Sequence, residues 1–303
     1  MIAGNYFDAI IIGGSYAGLS AAMALGRSLR NVLVIDSGLP CNRQTPHSHN
    51  FITQDGETPF AISKKAKEQV MKYPTVHFRS DLAFGAVKDQ EGFAVMTKSG
   101  DRFVGRKLIV ATGIKDEIPP IKGFAECWGI SVIHCPYCHG YEFHSQRTAI
   151  LANGDRAFHL ASLVSNLTDD LTIMTAGTPT FTADQLVRLK RRTIPVVHAG
   201  IKEIMHKEGH VEGILFDDGN QLAFRAIYAA IPFTQHSDIA VSLGCELTEQ
   251  GHIKVDHFQH TTVGGVYACG DNTSPLRSVA NAVAAGNFTG AMVNKVLAEE
   301  EFQ

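Results

Sequence analysis

The first forty residues constrain the fold most. Asp8-Ala9-Ile10-Ile11-Ile12 is an apolar run, β-branched at its centre, that ends in Gly13-Gly14-Ser15-Tyr16-Ala17-Gly18. Small and apolar residues then recur at helical spacing through Leu19, Ala22, Met23, Leu25 and Gly26. Val32-Leu33-Val34-Ile35-Asp36 reads as a second strand ending in an acid. Strand, glycine-rich turn, helix and strand make a βαβ unit, the building block of parallel α/β sheets. In such a unit the glycines let a pyrophosphate approach the backbone, and the helix N-terminus meets it with N–H groups and a positive dipole end. Gly13 and Gly18 hold the first and third positions of the dinucleotide fingerprint, and Ser15 holds the second, where glycine is usual. Asp36 follows about 20 residues on, where an acid can hold a ribose hydroxyl pair.

A similar plan recurs later. Residues 96–113, MTKSGDRFVGRKLIVATG, align without a gap to residues 215–232, LFDDGNQLAFRAIYAAIP, with Gly100 on Gly219 and Arg106 on Arg225. Each copy reads as a hairpin with a tight glycine turn and then a buried strand. Upstream of the second copy, Thr148–Leu151 and Leu171–Met174 read as strands around the turn Ala152-Asn153-Gly154-Asp155-Arg156-Ala157. With 303 residues, two domains are natural. The expected fold is α/β, with two Rossmann-like three-layer domains.

Composition removes other classes. Hydrophobic residues make up 45% and charged residues 19%, an ordinary globular balance. The net charge of −3 and the lack of a basic tail argue against nucleic acid as a partner. No apolar run approaches the ~20 residues of a membrane helix. The N-terminus runs into a strand pattern without a signal-peptide layout, so a soluble, cytoplasmic chain is expected.

Near the C-terminus, Val266-Tyr267-Ala268-Cys269 reads as a strand end followed by Gly270-Asp271. A long helix pattern follows from Val279 to Leu297. An acid there suits the polyhydroxyl chain and ring carbonyl of a flavin; the alternative is a turn residue before a helix.

The sharpest chemical signal is His134-Cys135-Pro136-Tyr137-Cys138-His139-Gly140-Tyr141-Glu142. Thiols three residues apart can close a reversible disulfide, and a nearby helix N-terminus or cation lowers the thiol pKa. His134, His139 and His144 flank the pair. Three rival readings exist. Cys-Pro-Tyr-Cys-His matches haem attachment, which usually needs an exported chain. Structural zinc needs a second ligand pair, and none is clear, so no metal is expected. The third rival is a pair of inert core thiols.

Taken in order, the first fingerprint, Ala111-Thr112-Gly113, the mid-chain Cys-X-X-Cys, the second fingerprint and Gly270-Asp271 resemble the low-molecular-weight thioredoxin reductase flavoproteins over nearly the whole chain. The resemblance implies an FAD-binding domain, residues 1–115 and 242–303, split by a central pyridine-nucleotide-type domain, residues 116–241, that carries the disulfide. It implies FAD held by Gly13, Ser15, Gly18, Asp36, Ala111, Gly113, Gly270, Asp271, Arg277, Ser278 and Val279. It implies Cys138 facing the flavin, Cys135 as the exchange thiol, and a homodimer. The partner implied is a thioredoxin-like protein or a small-molecule dithiol or disulfide. His139 stands where the family usually has an acid.

Four departures set this chain apart. Besides His139, the second fingerprint reads Ala152, Gly154, Ala157, without its first glycine. Met174-Thr175-Ala176-Gly177-Thr178-Pro179 lacks the basic cluster that clamps a 2′-phosphate, and lacks an acid that would select NAD. Ala230-Ile231-Pro232 lacks the expected glycine. Together they point to a degenerate nucleotide site, as in subgroups resembling dithiol oxidases, which pass electrons to oxygen, or ferredoxin-dependent flavin thioredoxin reductases. The segment from Asn42 to Pro59, with His47, His49 and Phe51, is similar to these members. The expectation is an FAD-dependent thiol–disulfide oxidoreductase that does not use NADPH directly. The alternatives are a conventional NADPH-dependent thioredoxin reductase and a non-catalytic flavin redox sensor.

Overall fold

The computed structural model describes residues 6–303. The chain opens with β1 (Tyr6–Ile12), α1 (Tyr16–Arg27), β2 (Val32–Asp36), α2 (Pro59–Val70) and β3 (Val76–Ser80). An antiparallel meander follows, β4 (Ala83–Asp89), β5 (Gly92–Thr97) and β6 (Arg102–Val110). Next come β7 (Ile114–Asp116), α3 (Phe124–Cys127), β8 (Val132–Ile133) and α4 (Pro136–His139). After a 3-10 turn at Tyr141–Phe143 lie β9 (Thr148–Leu151), α5 (Gly154–Val164), β10 (Leu171–Met174), α6 (Ala183–Arg191) and β11 (Val196–Val197). A second meander, β12 (Ile201–Lys207), β13 (His210–Phe216) and β14 (Gln221–Ala223), precedes β15 (Ala226–Ala229) and β16 (Phe233–Gln235). The chain closes with α7 (Ile239–Ser242), β17 (Val266–Ala268) and α8 (Val279–Glu301).

Two compact units result. The first comprises the chain up to Arg43, Asn50–Lys115 and Phe233–Gln303; the second comprises Gln44–His49 and Asp116–Pro232. The expected boundary at 242 differs from this division, because Ile239 and Ala240 of α7 are buried in the core of the first unit. Residues 44–49 likewise join the second unit.

In the first unit, β3, β2, β1, β6 and β17 form parallel pairs. Their apolar runs are buried on both faces, as a parallel sheet requires. The period of two is visible in the core. Ala9, Ile11, Val32 and Val34 pack with Leu19 and Leu25 of α1 and Val293 and Leu297 of α8. Ile10, Ile12, Leu33 and Ile35 face the opposite layer, with Phe93 and Val95 of β5. Helices α1 and α8 approach closely enough that a Cβ on Gly286 would overlap the Ala17 carbonyl. Ser20 Oγ donates to Val283 O at 2.7 Å across the same contact.

The second unit repeats the plan. Its parallel sheet runs β11-β10-β9-β15-β8, and its antiparallel sheet β12-β13-β14. Ile150, Ile173 and Tyr228 pack with Leu160 and Val164 of α5, while Ala149 and Ile227 pack with Ile204 and Ile214 of the meander. The internal repeat falls on equivalent hairpins, with Gly100 at φ +91° and Gly219 at φ +87° in the turns. The copies diverge afterwards. β6 continues unbroken for 9 residues, whereas the second copy breaks into β14 and β15 around Phe224-Arg225. The architecture is α/β, with two Rossmann-like three-layer units. Among the described residues no helix is long and apolar enough to cross a membrane.

Candidate functional site

The residues expected to bind a cofactor gather in the first unit, where parallel strands β1, β2, β6 and β17 end. Ligands in open α/β sheets bind beyond these carboxyl ends. Gly13 leaves β1 at φ +104°, and a Cβ there would overlap the Ala111 carbonyl after β6. A Cβ on Gly18 would overlap the Gly13 carbonyl, so only glycine allows α1 to start this close to its strand. Ser15 occupies the N-cap of α1 with no side-chain cap bond, and no acid sits in the first turn. The first N–H groups of α1 therefore have no side chain competing for them. Asp36 ends β2 and accepts from Gly14 N at 2.9 Å and Gly38 N at 3.1 Å.

The ends of β6 and β17 add further polar groups. Gly113 lies at φ +67° after the β6 strand end. Thr112 Oγ1 is buried without a hydrogen-bond partner, as is Asn272 Oδ1, while Asn272 Nδ2 donates to Val110 O at 2.9 Å. Gly270 is buried, and Asp271 Oδ2 is 4.0 Å from Arg277 Nε. Ser278 accepts from Asn281 N at 3.1 Å, so its side chain caps α8, and Val279 opens that helix and packs on the core. A glycine cradle closed to any Cβ, an open helix start, an anchored acid and two buried polar atoms lacking partners fit a dinucleotide with a polar ring, as in FAD.

The second unit carries the redox pair. Cys135 and Cys138 are joined in a disulfide, with Cα atoms 5.3 Å apart. Cys135 is the N-cap of α4, and Pro136 begins the helix, where its missing N–H removes no bond. Cys138 N donates to Cys135 Sγ at 3.2 Å, which favours negative charge on that sulfur. The buried thiols Cys127 and Cys269 have the opposite setting: burial pushes the Cys127 pKa up to about 11 and the Cys269 pKa up to about 12. His139 ends α4, and burial lowers its pKa below the usual imidazole value, with Glu142 acting in the opposite sense and His49 adding to the fall. His134 lies beside the Trp128 ring, with centroids 5.9 Å apart. His144 stacks on the exposed Tyr141 at 5.0 Å. Among the described residues no group of three or more His, Cys, Asp or Glu is arranged to hold a metal ion.

The second fingerprint is built differently from the first. Asn153 is the N-cap of α5, and its Oδ1 accepts from Gly154 N at 2.8 Å. The same oxygen accepts from Thr180 N at 2.9 Å and Thr180 Oγ1 at 3.2 Å, while Asn153 Nδ2 donates to Thr178 O at 2.8 Å. The loop after β10 is thereby tied across the helix start. Gly154 itself lies at φ +53°, and a Cβ there would reach Thr180 Oγ1 at 2.6 Å. Asp155 adds a negative charge to the first turn and accepts from Gln185 Nε2 at 2.7 Å. Arg147 is paired with Asp170 at 3.6 Å. Sequence reasoning singled out the missing glycine but not the Asn153–Thr180 tie, nor the placement of His49 beside His139 and Glu142. Both depend on residues distant in sequence, and no local pattern signals either.

The chain matches the model of the pyridine nucleotide-disulphide oxidoreductases over residues 7–286. It is 33% identical to thioredoxin reductase tcpT of Claviceps purpurea, over 98% of this chain and 96% of that one. It is 32% identical to thioredoxin reductase sirT of Leptosphaeria maculans, over 96% and 94%. The crystal structure of an oxidoreductase from Agrobacterium tumefaciens superposes with a TM-score of 0.90 at 37% identity, covering 97% of this chain and 99% of that one. With these matches and the two-unit fold, the chain belongs to the pyridine nucleotide-disulphide oxidoreductase family and is an oxidoreductase of thioredoxin reductase-like build.

Proposed function

We propose that the chain is an FAD-dependent thiol–disulfide oxidoreductase that works through Cys135 and Cys138 without taking electrons directly from NADPH. The observation that carries this reading is the contrast between the two helix starts. The start of α1 is left open by Ser15, whereas the start of α5 is filled by the Asn153 side chain. The similarity to fungal thioredoxin reductases supports a thiol–disulfide substrate.

In this reading the first unit is the FAD domain. Gly13, Ser15 and Gly18 admit the pyrophosphate, Asp36 takes the ribose hydroxyls, and Ala111 and Gly113 line the approach. Gly270, Asp271, Arg277, Ser278 and Val279 border the ring and its polyhydroxyl chain. Bound FAD supplies two-electron exchange with the protein disulfide. The chain does the rest. Cys135 exchanges with the substrate sulfur, its charge favoured by the Cys138 N–H. Cys138 takes the electron pair when the disulfide opens. His139, held neutral near pH 7 by burial, accepts the proton. The substrate is a thioredoxin-like protein or a small-molecule dithiol or disulfide, and the second redox partner is ferredoxin or oxygen. A cytoplasmic homodimer completes the proposal.

The test is turnover. Purified protein is mixed with excess dithiol in air and the thiols consumed per protein are counted. Consumption far beyond one equivalent, abolished by Cys138→Ser, supports an enzyme. A single equivalent identifies a redox sensor. Undiminished consumption by Cys138→Ser removes the disulfide from the mechanism.

A further inference from the structure

Gln44–His49 lies between β2 and α2 in sequence yet belongs to the second unit. There His49 Nε2 is 3.4 Å from Glu142 Oε1, with side chains 22% and 35% exposed. The His49 ring meets the His139 ring edge to face, with centroids 6.4 Å apart. Glu142 follows His139 by one turn of chain, so both are presented by the segment that carries the disulfide. His49 thus pairs with the carboxylate and faces the imidazole. His47 lies beyond it, with centroids 6.4 Å from His49.

The charges bearing on His139 come from two elements. Glu142 on its own segment favours the imidazolium, and His49 on the Gln44–His49 segment opposes it. Glu142 also faces Tyr228 of β15, whose buried hydroxyl stays protonated.

We propose that His49 and Glu142 form a charge pair that sets the protonation of His139, with His49 a positioning residue supplied from outside the Cys-X-X-Cys segment. This rests on the thiol exchange at Cys135–Cys138 proposed above. In that step a substrate thiol attacks Cys135 Sγ. A new S–S bond forms to Cys135, the Cys135–Cys138 bond breaks, and the electron pair leaves on Cys138 as thiolate. The substrate proton passes to the His139 imidazole. Glu142 stabilises the resulting imidazolium, and His49, 3.4 Å from Glu142, opposes it and so limits how tightly that proton is held.

The prediction is a pair of shifts of opposite sign. Charges about 6 Å apart at a partly exposed site couple by about 0.5–1 pH unit. The His139 titration is followed by NMR on histidine-labelled holoprotein. The rate of Cys135–Cys138 reduction by dithiothreitol is measured across pH in parallel. His49→Gln removes the opposing cation and raises the His139 midpoint. Glu142→Gln removes the anion and lowers it. His49→Lys restores a cation and brings the midpoint back down. Midpoints that stay fixed, or move the same way in both single variants, overturn the proposal, because mere structural support gives no such opposition. A wild-type disulfide inert to dithiothreitol overturns the thiol-exchange reading instead, and the NMR titration still decides the charge pair.

Discussion

Asn153 Oδ1 accepts the Gly154 N–H at 2.8 Å and the Thr180 N–H at 2.9 Å, so one side chain fills the start of α5 and anchors the loop that crosses it. A pyrophosphate entering there must break these bonds and then face Asp155 in the first turn. Ser15, at the equivalent place before α1, makes no side-chain cap bond. Two copies of one βαβ plan thus differ in whether their helix start is available.

Asn153→Ala removes the N-cap of α5 and the tie to Thr180. The expected loss is about 0.5–2 kcal/mol of unfolding free energy, the range for an N-cap truncation. Urea unfolding of the second unit checks it. A loss below a few tenths of a kcal/mol means that the side chain does not hold the loop.

Asp36→Ala leaves Gly14 N and Gly38 N without their carboxylate and removes the expected ribose contact. Retention of FAD is expected to weaken about 10- to 100-fold, the scale of one or two charge-assisted bonds. Flavin absorbance after exhaustive dialysis measures it. Full retention removes Asp36 from the cofactor site.

Gly286→Ala pits two effects against each other. Alanine favours a helix interior over glycine by about 1 kcal/mol. The added Cβ overlaps the backbone carbonyl of Ala17, which cannot yield as a side-chain tip can. Overpacking of this kind costs about 1–3 kcal/mol, so the variant is expected to be less stable. A raised melting temperature contradicts the close contact of α1 and α8.

Stability also depends on pH through His139 and His252. Burial lowers both pKa values, with Arg277 adding to the effect at His252. Below about pH 6.5 the unfolded chain binds protons that the folded chain refuses. Stability therefore falls as pH drops through that window, and levels off below the depressed folded values. Urea midpoints at pH 7.5 and 5.5 are expected to fall for the wild type, and to fall less for His139→Gln. An equal fall in both places His139 outside this coupling.

Local pattern carried much of the fold. The apolar run to Ile12, the turn at Gly13, Val32–Asp36 and the small-residue face of α8 are all set by neighbours in sequence, and all appear in the structure. The glycine turns at 100 and 219 marked the duplicated plan for the same reason. The site was legible where chemistry is local, as in the pairing of Cys135 with Cys138. It was not legible where distant segments meet. Residues 44–49 leave the unit on either side of them, which no periodicity encodes. The loop over α5 is fixed by side-chain bonds from Asn153 rather than by its own composition. The cap that the Ser278 hydroxyl places on α8 adds a local role to its reading as a cofactor-site residue.

The most direct test of the account is an anaerobic titration of the purified protein with NADPH, then NADH, then a dithiol, followed by flavin absorbance. The account predicts that neither nicotinamide bleaches the flavin, whereas the dithiol does, and that Cys138→Ser abolishes the dithiol response. Rapid bleaching by NADPH would contradict it, because the α5 site would then bind a nucleotide despite Asn153 and the chain would act as an NADPH-dependent reductase.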